Sequence, residues 1–190
     1  MSYSLTLSHV GIFVTDIHLM VDFYTRFLGF AESDRGSTSS GGAIVFMTRD
    51  PREHHQLVLA TGRPADLPFN IINQISLRVD SLVTLRELYV GLKDEPVEIL
   101  GPISHGNALS VYFRDPEKNR VELLIDTPWY VSQPHRFTVD IMQSDEQVWA
   151  AVEKEARGTP GFKSRKEWMV EVERKIAQAT EARRQIATQH

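Results

Sequence analysis

The strongest constraint in this sequence is internal repetition. His9, in Leu7-Ser8-His9-Val10-Gly11-Ile12, lies 65 positions before Gln74, in Asn73-Gln74-Ile75-Ser76-Leu77. The same offset carries the helix-spaced apolar set Met20, Phe23, Tyr24, Phe27 onto Leu85, Leu88, Tyr89, Leu92, and Arg49-Asp50-Pro51 onto Arg114-Asp115-Pro116. One residue later in register, Gln56-Leu57-Val58-Leu59 returns as Glu122-Leu123-Leu124-Ile125. A repeat of this kind fixes architecture before any motif is read. Two strand–helix–strands copies, each too small to bury its own sheet face, must pack on one another and leave one pseudo-symmetric site.

Local patterning fills in each copy. His9 to Val14 is rich in β-branched and aromatic residues and predicts a strand. Thr15-Asp16 caps a helix whose apolar face is Met20, Phe23, Tyr24 and Phe27, with Gly29 as its stop. Strands follow at about 30–35, 41–48 and 54–60, the first two joined by the turn Ser37-Thr38-Ser39-Ser40-Gly41-Gly42. Gly62 to Pro68, with two prolines, marks the joint between modules. The second copy predicts a strand at 71–79, a helix at 81–93 and strands near 98–103, 108–114 and 120–126. The fold class is therefore α+β: two βαβββ modules, 5–61 and 71–126, forming a domain over 5–126. Residues 127–190 form a C-terminal crossover and helical arm. In the arm, Ser144-Asp145-Glu146-Gln147 and Ser164-Arg165-Lys166-Glu167 fit the capping box, with Gly158-Thr159-Pro160-Gly161 as a break between two helices. The stripe Met169, Val172, Ile176 predicts an amphipathic helix packed on its own domain or on a second subunit, or else recruiting a partner.

Composition narrows the function classes. With 42% hydrophobic residues, 21 Lys+Arg against 25 Asp+Glu and a formal charge of −4, the chain suits a cytoplasmic globular protein with no basic face for nucleic acid. Cysteine is absent, which removes disulfides, thiolate metal sites and a cysteine nucleophile. The N-terminus lacks the pattern of a signal peptide, and no apolar run approaches the roughly 18–20 residues of a membrane span.

If repeat-related residues share the concave side, His9, Gln56, Gln74 and Glu122 converge. Burying an imidazole, a carboxylate and two amides without a ligand costs on the order of 1–3 kcal/mol per unsatisfied group. The plain alternative is a hydrogen-bonded polar seam. Adjacent strand residues face opposite sides, so His55 and Gln56 cannot both line a cleft unless a bulge or strand start intervenes. His18 and His135 are expected at the surface, and the plain alternative for His54 and His55 together is a solvated strand edge following Arg52-Glu53.

Residues 5–126 resemble the vicinal oxygen chelate superfamily: glyoxalase I, fosfomycin- and bleomycin-resistance proteins and type I extradiol ring-cleaving dioxygenases. The motifs are Leu7-Ser8-His9-Val10, the segment Phe23-Tyr24-Thr25-Arg26-Phe27-Leu28-Gly29-Phe30 and, most specific, the run from Tyr112 to Leu123. The resemblance implies curled mixed sheets forming a cleft around a divalent metal. The tail Thr127-Pro128-Trp129-Tyr130 is similar to that of single-domain members described as ring-cleaving dioxygenases. In that branch a two-histidine, one-carboxylate triad holds Fe(II) and leaves positions open for a catechol and O₂. Carried over, the ligands are His9 and Glu122, with Gln74 standing where the second histidine is expected. His55, preceded by His54, is implied as the acid/base residue. Tyr112 is implied as the group beside the substrate oxygens, and His105 as the histidine of the preceding loop.

The expected function is a divalent-metal-dependent ring-cleaving dioxygenase-like protein acting on a catechol-type aromatic, with Fe(II) favoured over Mn(II), Zn(II) or Ni(II). A glyoxalase-like isomerase or lyase would instead use His9, Gln56, Gln74 and Glu122 together. A non-catalytic binding or resistance protein is the third reading, favoured by Gln74. The expected partners are a small aromatic molecule and a second copy of the chain.

Overall fold

The computed structural model describes residues 5–67 and 69–187, the backbone alone at 184, 186 and 187. It divides into two compact units, Met1–Gln74 with Arg114–Arg120, and Ile75–Phe113 with Val121–His190. The C-terminal extension therefore belongs to the second unit, and the tip of a second-copy hairpin to the first. Both units are α+β with open, mixed sheets.

The first unit holds a four-stranded sheet in the order β1-β4-β3-β2, formed by β1 (Val10–Val14), β2 (Ala31–Ser37), β3 (Ala43–Thr48) and β4 (Leu57–Thr61). β1 runs parallel to β4, and β4, β3 and β2 are antiparallel neighbours. Alternation sets the faces: Ile12 and Val14 are buried, while Gly11 and Phe13 on the other side are exposed. Helix α1 (Ile17–Asp22) starts where predicted, with the Asp16 carboxylate accepting from the amides of His18 and Leu19. It continues as a π-helical turn, Phe23–Phe27, which the 3.6-residue pattern does not anticipate. Gly29 ends it at φ +69°, its amide donating to the Thr25 carbonyl. Met20, Phe23, Tyr24, Leu28 and Phe30 from this segment are buried together with Met47, Leu57 and Leu59.

The tip 114–120 is bound within this unit by charge and burial. The Glu117 carboxylate accepts from the amides of Thr15 and Asp16 at 2.6–2.9 Å, just ahead of the helix. Asp115, fully buried, accepts from Asn119 (amide and side chain), the Glu117 amide and the Tyr24 hydroxyl. Burial pushes the Asp115 carboxyl above its ordinary value despite those donors, and pushes the Tyr24 phenol up as well.

The second unit holds a five-stranded sheet in the order β10-β6-β7-β8-β5: β5 (Ile75–Arg78), β6 (Glu98–Ser104), β7 (Ala108–Arg114), β8 (Arg120–Asp126) and β10 (Phe137–Thr138). β5 is parallel to β8, repeating the β1–β4 relation. Helix α2 (Leu82–Gly91) is capped by Ser81, whose hydroxyl accepts from the Thr84 amide. The arm supplies β9 (Trp129–Tyr130), α3 (Asp145–Gly158), β11 (Lys163–Ser164) and α4 (Arg165–Ala187). Both predicted capping boxes form, at Ser144/Gln147 and Ser164/Glu167. The short strands β9, β10 and β11 were not predicted, because two-residue pairings leave no periodicity to read. The stripe on α4 is not packed on its own unit at Met169 and Ile176, which are exposed. Contact with the unit comes from Trp168, stacked on Tyr130 at 5.5 Å, and from Arg165 paired with Asp126 at 3.0 Å. Among the described residues, no helix is long and apolar enough to cross a membrane.

Candidate functional site

Strand starts decide the chemistry of the first unit. His9 stands immediately before β1, and β4 begins only at Leu57, so His54, His55 and Gln56 all precede it. The predicted strand over 54–60 is thus three residues shorter at its start, and strand alternation does not govern which of His55 and Gln56 faces which way. The cause is the turn opened by Asp50. Its carboxylate takes the amide and guanidinium of Arg52, and the Glu53 amide donates to its carbonyl. Gln56 is consumed by this turn: its side-chain oxygen accepts from the Arg49 amide at 2.9 Å. The expected role of Gln56 as a metal ligand meets that competing bond.

The freed histidines gather. The rings of His9 and His55 lie 4.2 Å apart, and Phe46 stands 5.1 Å from His55 and 5.7 Å from His54. His54 Nδ1 and His55 Nδ1 are 2.9 Å apart, so one proton lies between them. If His55 carries it, the His55 Nε2 keeps a lone pair and can act as a base. Partial burial, then the neighbouring His9 and His54, lower the His55 pKa from 6.5, which keeps the ring neutral near pH 7. His54 is exposed, as the solvated-edge alternative has it, yet engaged through this contact. His18 is exposed as expected.

The same unit contains a cavity of about 430 Å³, with Gly11, Phe13, Gly62, Leu67 and Ile71 among its lining. Its polar lining is spent internally: Arg63 donates to Asn119, Asn70 and the Glu117 carbonyl, and Asn70 donates to the Lys118 carbonyl. What faces the space is hydrocarbon, with Phe13 63% and Ile71 79% exposed. Gly62 sits at φ +117°, where a Cβ would lie 3.8 Å from the Phe13 ring.

In the second unit a continuous hydrogen-bonded run replaces the ring cluster. Parallel pairing of β5 and β8 sets Ser76 opposite Glu122. The Glu122 side chain, in a residue only 5% exposed, accepts from the Ser76 hydroxyl at 2.6 Å and from the Tyr112 hydroxyl at 2.5 Å. The Tyr112 hydroxyl also stands 3.0 Å from His105 Nε2, and His105 Nδ1 lies 2.7 Å from the His135 carbonyl oxygen. A carbonyl only accepts, so Nδ1 carries a proton, and where that is the ring's single proton Nε2 is an acceptor. The single Tyr112 proton then has two competing acceptors, Glu122 and His105. Three expected site residues (Tyr112, His105, Glu122) are brought together here. Gln74, half-buried, immediately precedes β5 as His9 precedes β1.

Three contributors escaped sequence reasoning. Ser76 lies two residues beyond Gln74, but its partner depends on a parallel register that no local pattern encodes. His135 was expected at the surface; instead it is largely buried, and its carbonyl holds His105. Gln133 donates to the His105 carbonyl at 2.8 Å from a segment with only turn-like signals.

Residues 6–123 match the Glyoxalase/Bleomycin resistance protein/Dioxygenase superfamily. The chain belongs to this superfamily. Biphenyl-2,3-diol 1,2-dioxygenase 2 of Rhodococcus globerulus is 32% identical over 123 residues, which are 63% of this chain and 62% of that protein. The chain thus spans less than two thirds of that relative's length. A glyoxalase/bleomycin resistance protein/dioxygenase domain from Frankia sp. EAN1pec shares the fold with a TM-score of 0.57 at 22% identity, over 66% of this chain and 100% of that one. The fosfomycin resistance protein FosX of Listeria monocytogenes, solved with Mn(II) and sulfate, does so with a TM-score of 0.52 at 19% identity, over 67% and 95%.

For a superfamily member, the donor chemistry is the test of a divalent cation. Among the described residues, no three His, Asp or Glu side chains form a group able to hold a metal. By residue type alone, His9, Gln74 and Glu122 offer an imidazole, an amide oxygen and a carboxylate. The Glu122 carboxylate is an oxygen donor of the kind divalent cations take. Imidazole with carboxylate and amide oxygen suits Mn(II) or Fe(II), and on donor chemistry the residues fit.

Proposed function

We propose that this protein is a divalent-metal-dependent, ring-cleaving dioxygenase-like enzyme acting on a catechol-type diol with an apolar substituent. The observation that carries the reading is the run Ser76–Glu122–Tyr112–His105, because the residues implied as ligand, oxygen-side donor and loop histidine are joined in series by hydrogen bonds through Tyr112. The 32% identity to a biphenyl-2,3-diol 1,2-dioxygenase supports it. His9, Gln74 and Glu122 would hold Fe(II) or Mn(II), which supplies charge to bind both diol oxygens and an open position for dioxygen. His55, kept neutral near pH 7, accepts a phenolic proton at Nε2. Tyr112 donates its hydroxyl to a developing oxyanion, and the acceptor capacity of His105 Nε2 governs where that proton rests. The cavity beside Phe13 and Ile71 takes the ring's apolar substituent, since its polar lining is already satisfied.

Oxygen uptake with catechol and with biphenyl-2,3-diol, after loading with Fe(II) or Mn(II), tests this proposal. Ring-opened product is expected, faster from the biphenyl diol. No uptake at saturating metal would overturn it. Gln74 favours one competing reading, a binder of aromatic compounds that does no chemistry, because an amide oxygen is a weaker ligand than imidazole. Such a binder purifies without metal, whereas the enzyme retains about one equivalent per chain.

A further inference from the structure

The crossover after β8 lies outside the superfamily match, which ends at residue 123, yet it is built around His105. Thr127 leads it in, its amide donating to the Asn107 carbonyl at 3.1 Å and its hydroxyl to the Gly106 carbonyl at 2.5 Å. Gly106 sits at φ +76°, and a Cβ there would run into the Val131 side chain, so the β6–β7 turn and the crossover are in close contact. Gln133 then stitches both sides. Its amide nitrogen donates to the His105 carbonyl at 2.8 Å, and its oxygen accepts from the His135 amide at 3.1 Å. The second bond holds the backbone of His135, whose carbonyl, in the next peptide unit, takes the His105 Nδ1 proton at 2.7 Å.

We propose that the segment Thr127–His135 is a working part of the site, with Gln133 as a positioning residue that locks His105 in the Nδ1–H tautomer, Nε2 turned to the Tyr112 hydroxyl. The argument is one of proton placement. With the opposite tautomer, Nε2–H would point at Tyr112 and the unprotonated Nδ1 would oppose a carbonyl oxygen, an acceptor against an acceptor. Only in the neutral ring with its proton on Nδ1 can His105 Nε2 draw on the Tyr112 proton while Nδ1 donates to the His135 carbonyl. The catalytic value of this arrangement rests on the dioxygenase reading above; the tautomer lock does not.

The full-length protein, ¹⁵N-labelled at histidine, gives a direct test by long-range ¹H–¹⁵N correlation, with the His105→Gln variant identifying the ring. The wild-type ring is expected as a single Nδ1–H tautomer. Gln133→Ala should give a tautomer mixture and lower kcat for diol turnover about 10- to 100-fold with KM little changed. Gln133→Glu, which keeps the acceptor for His135 but loses the donor to His105, should fall between. A wild-type ring protonated at Nε2 overturns the proposal without any variant, so a poorly folding Gln133→Ala cannot rescue it. Unchanged tautomer and kcat in a folded Gln133→Ala would overturn it equally. An Nδ1–H ring that responds to Gln133 in a protein without diol turnover would uphold the lock and remove only the dioxygenase reading.

Discussion

The two copies of the repeat share a connectivity, a first strand parallel to a fourth, and differ in how their last turn is closed. In the second copy, Asp115 is buried and its carboxylate gathers Asn119, closing a hairpin whose amide–carbonyl bond runs from Asp115 to Asn119 at 2.9 Å. β8 can therefore begin at Arg120, and Glu122 is carried into the sheet beside Ser76. In the first copy the equivalent Asp50 pairs with Arg52 at the surface, and His54 stands where the asparagine would be. β4 starts late, Gln56 is diverted to the turn, and His55 meets His9 with His54 beside it. Sequence duplication thus conserves the frame, while one asparagine decides whether the corresponding polar residue enters the strand or serves the turn.

The largest test of this contrast compares Glu122→Gln with Gln56→Ala. Removing the Glu122 charge should cost several kcal/mol of transition-state stabilisation, a loss of diol turnover on the order of 100- to 1000-fold in steady-state assays. Gln56→Ala should instead cost about 1 kcal/mol of stability in urea melts and leave turnover nearly intact. Equal losses in turnover would return Gln56 to the site. Tyr112→Phe should come next, lowering kcat about 100-fold, because the oxygen-side donor is removed while ring packing is kept.

The two aspartates offer a stability test of smaller size. Asp115→Ala strips several buried donors of their acceptor and should cost about 2–3 kcal/mol, whereas Asp50→Ala should be nearly silent in the same melts. Their titrations run in opposite directions. Hydrogen bonds from Arg52 hold Asp50 down to about 2, so what it contributes is present above the unfolded value of 3.8 and fades as pH falls through 2. Burial raises Asp115, so the folded state binds that proton more tightly, and its contribution is full in acid and lost as pH rises past the raised value. ¹³C carboxyl titration distinguishes the two, and a common pKa would sink the contrast.

The smallest expected effect concerns His55. Removing its neighbour in His54→Asn takes away one of the charges that lower it, so the acid limb of kcat/KM should move up toward 6.5. An unmoved limb would leave burial and the neighbouring His9 as the explanation.

Much of this was legible in the chain. Capping at Asp16, Ser144 and Ser164, the stop at Gly29 and the two βαβββ copies follow from residue types at short spacing, while the expected roles of His9, Tyr112 and Glu122 are what the repeat and the family resemblance imply. The late start of β4 was not legible, because Asp50-Pro51 and Asp115-Pro116 look alike until the partner of each carboxylate is known. Nor was the burial of His135, which depends on a crossover with only turn signals.

The sequence alone determined the duplicated frame and the order of its principal elements, since periodicity and capping act over a few residues and survive tertiary detail, and its motifs carried the superfamily resemblance. Tertiary structure alone decided which polar atoms share protons. Ser76 finds Glu122 across 46 positions and His105 finds the His135 carbonyl across 30. Such pairings are set by sheet register and by the path of a crossover. Hydrogen bonds reach about 3 Å, so a register slip of one residue, moving a side chain to the opposite face, would abolish them.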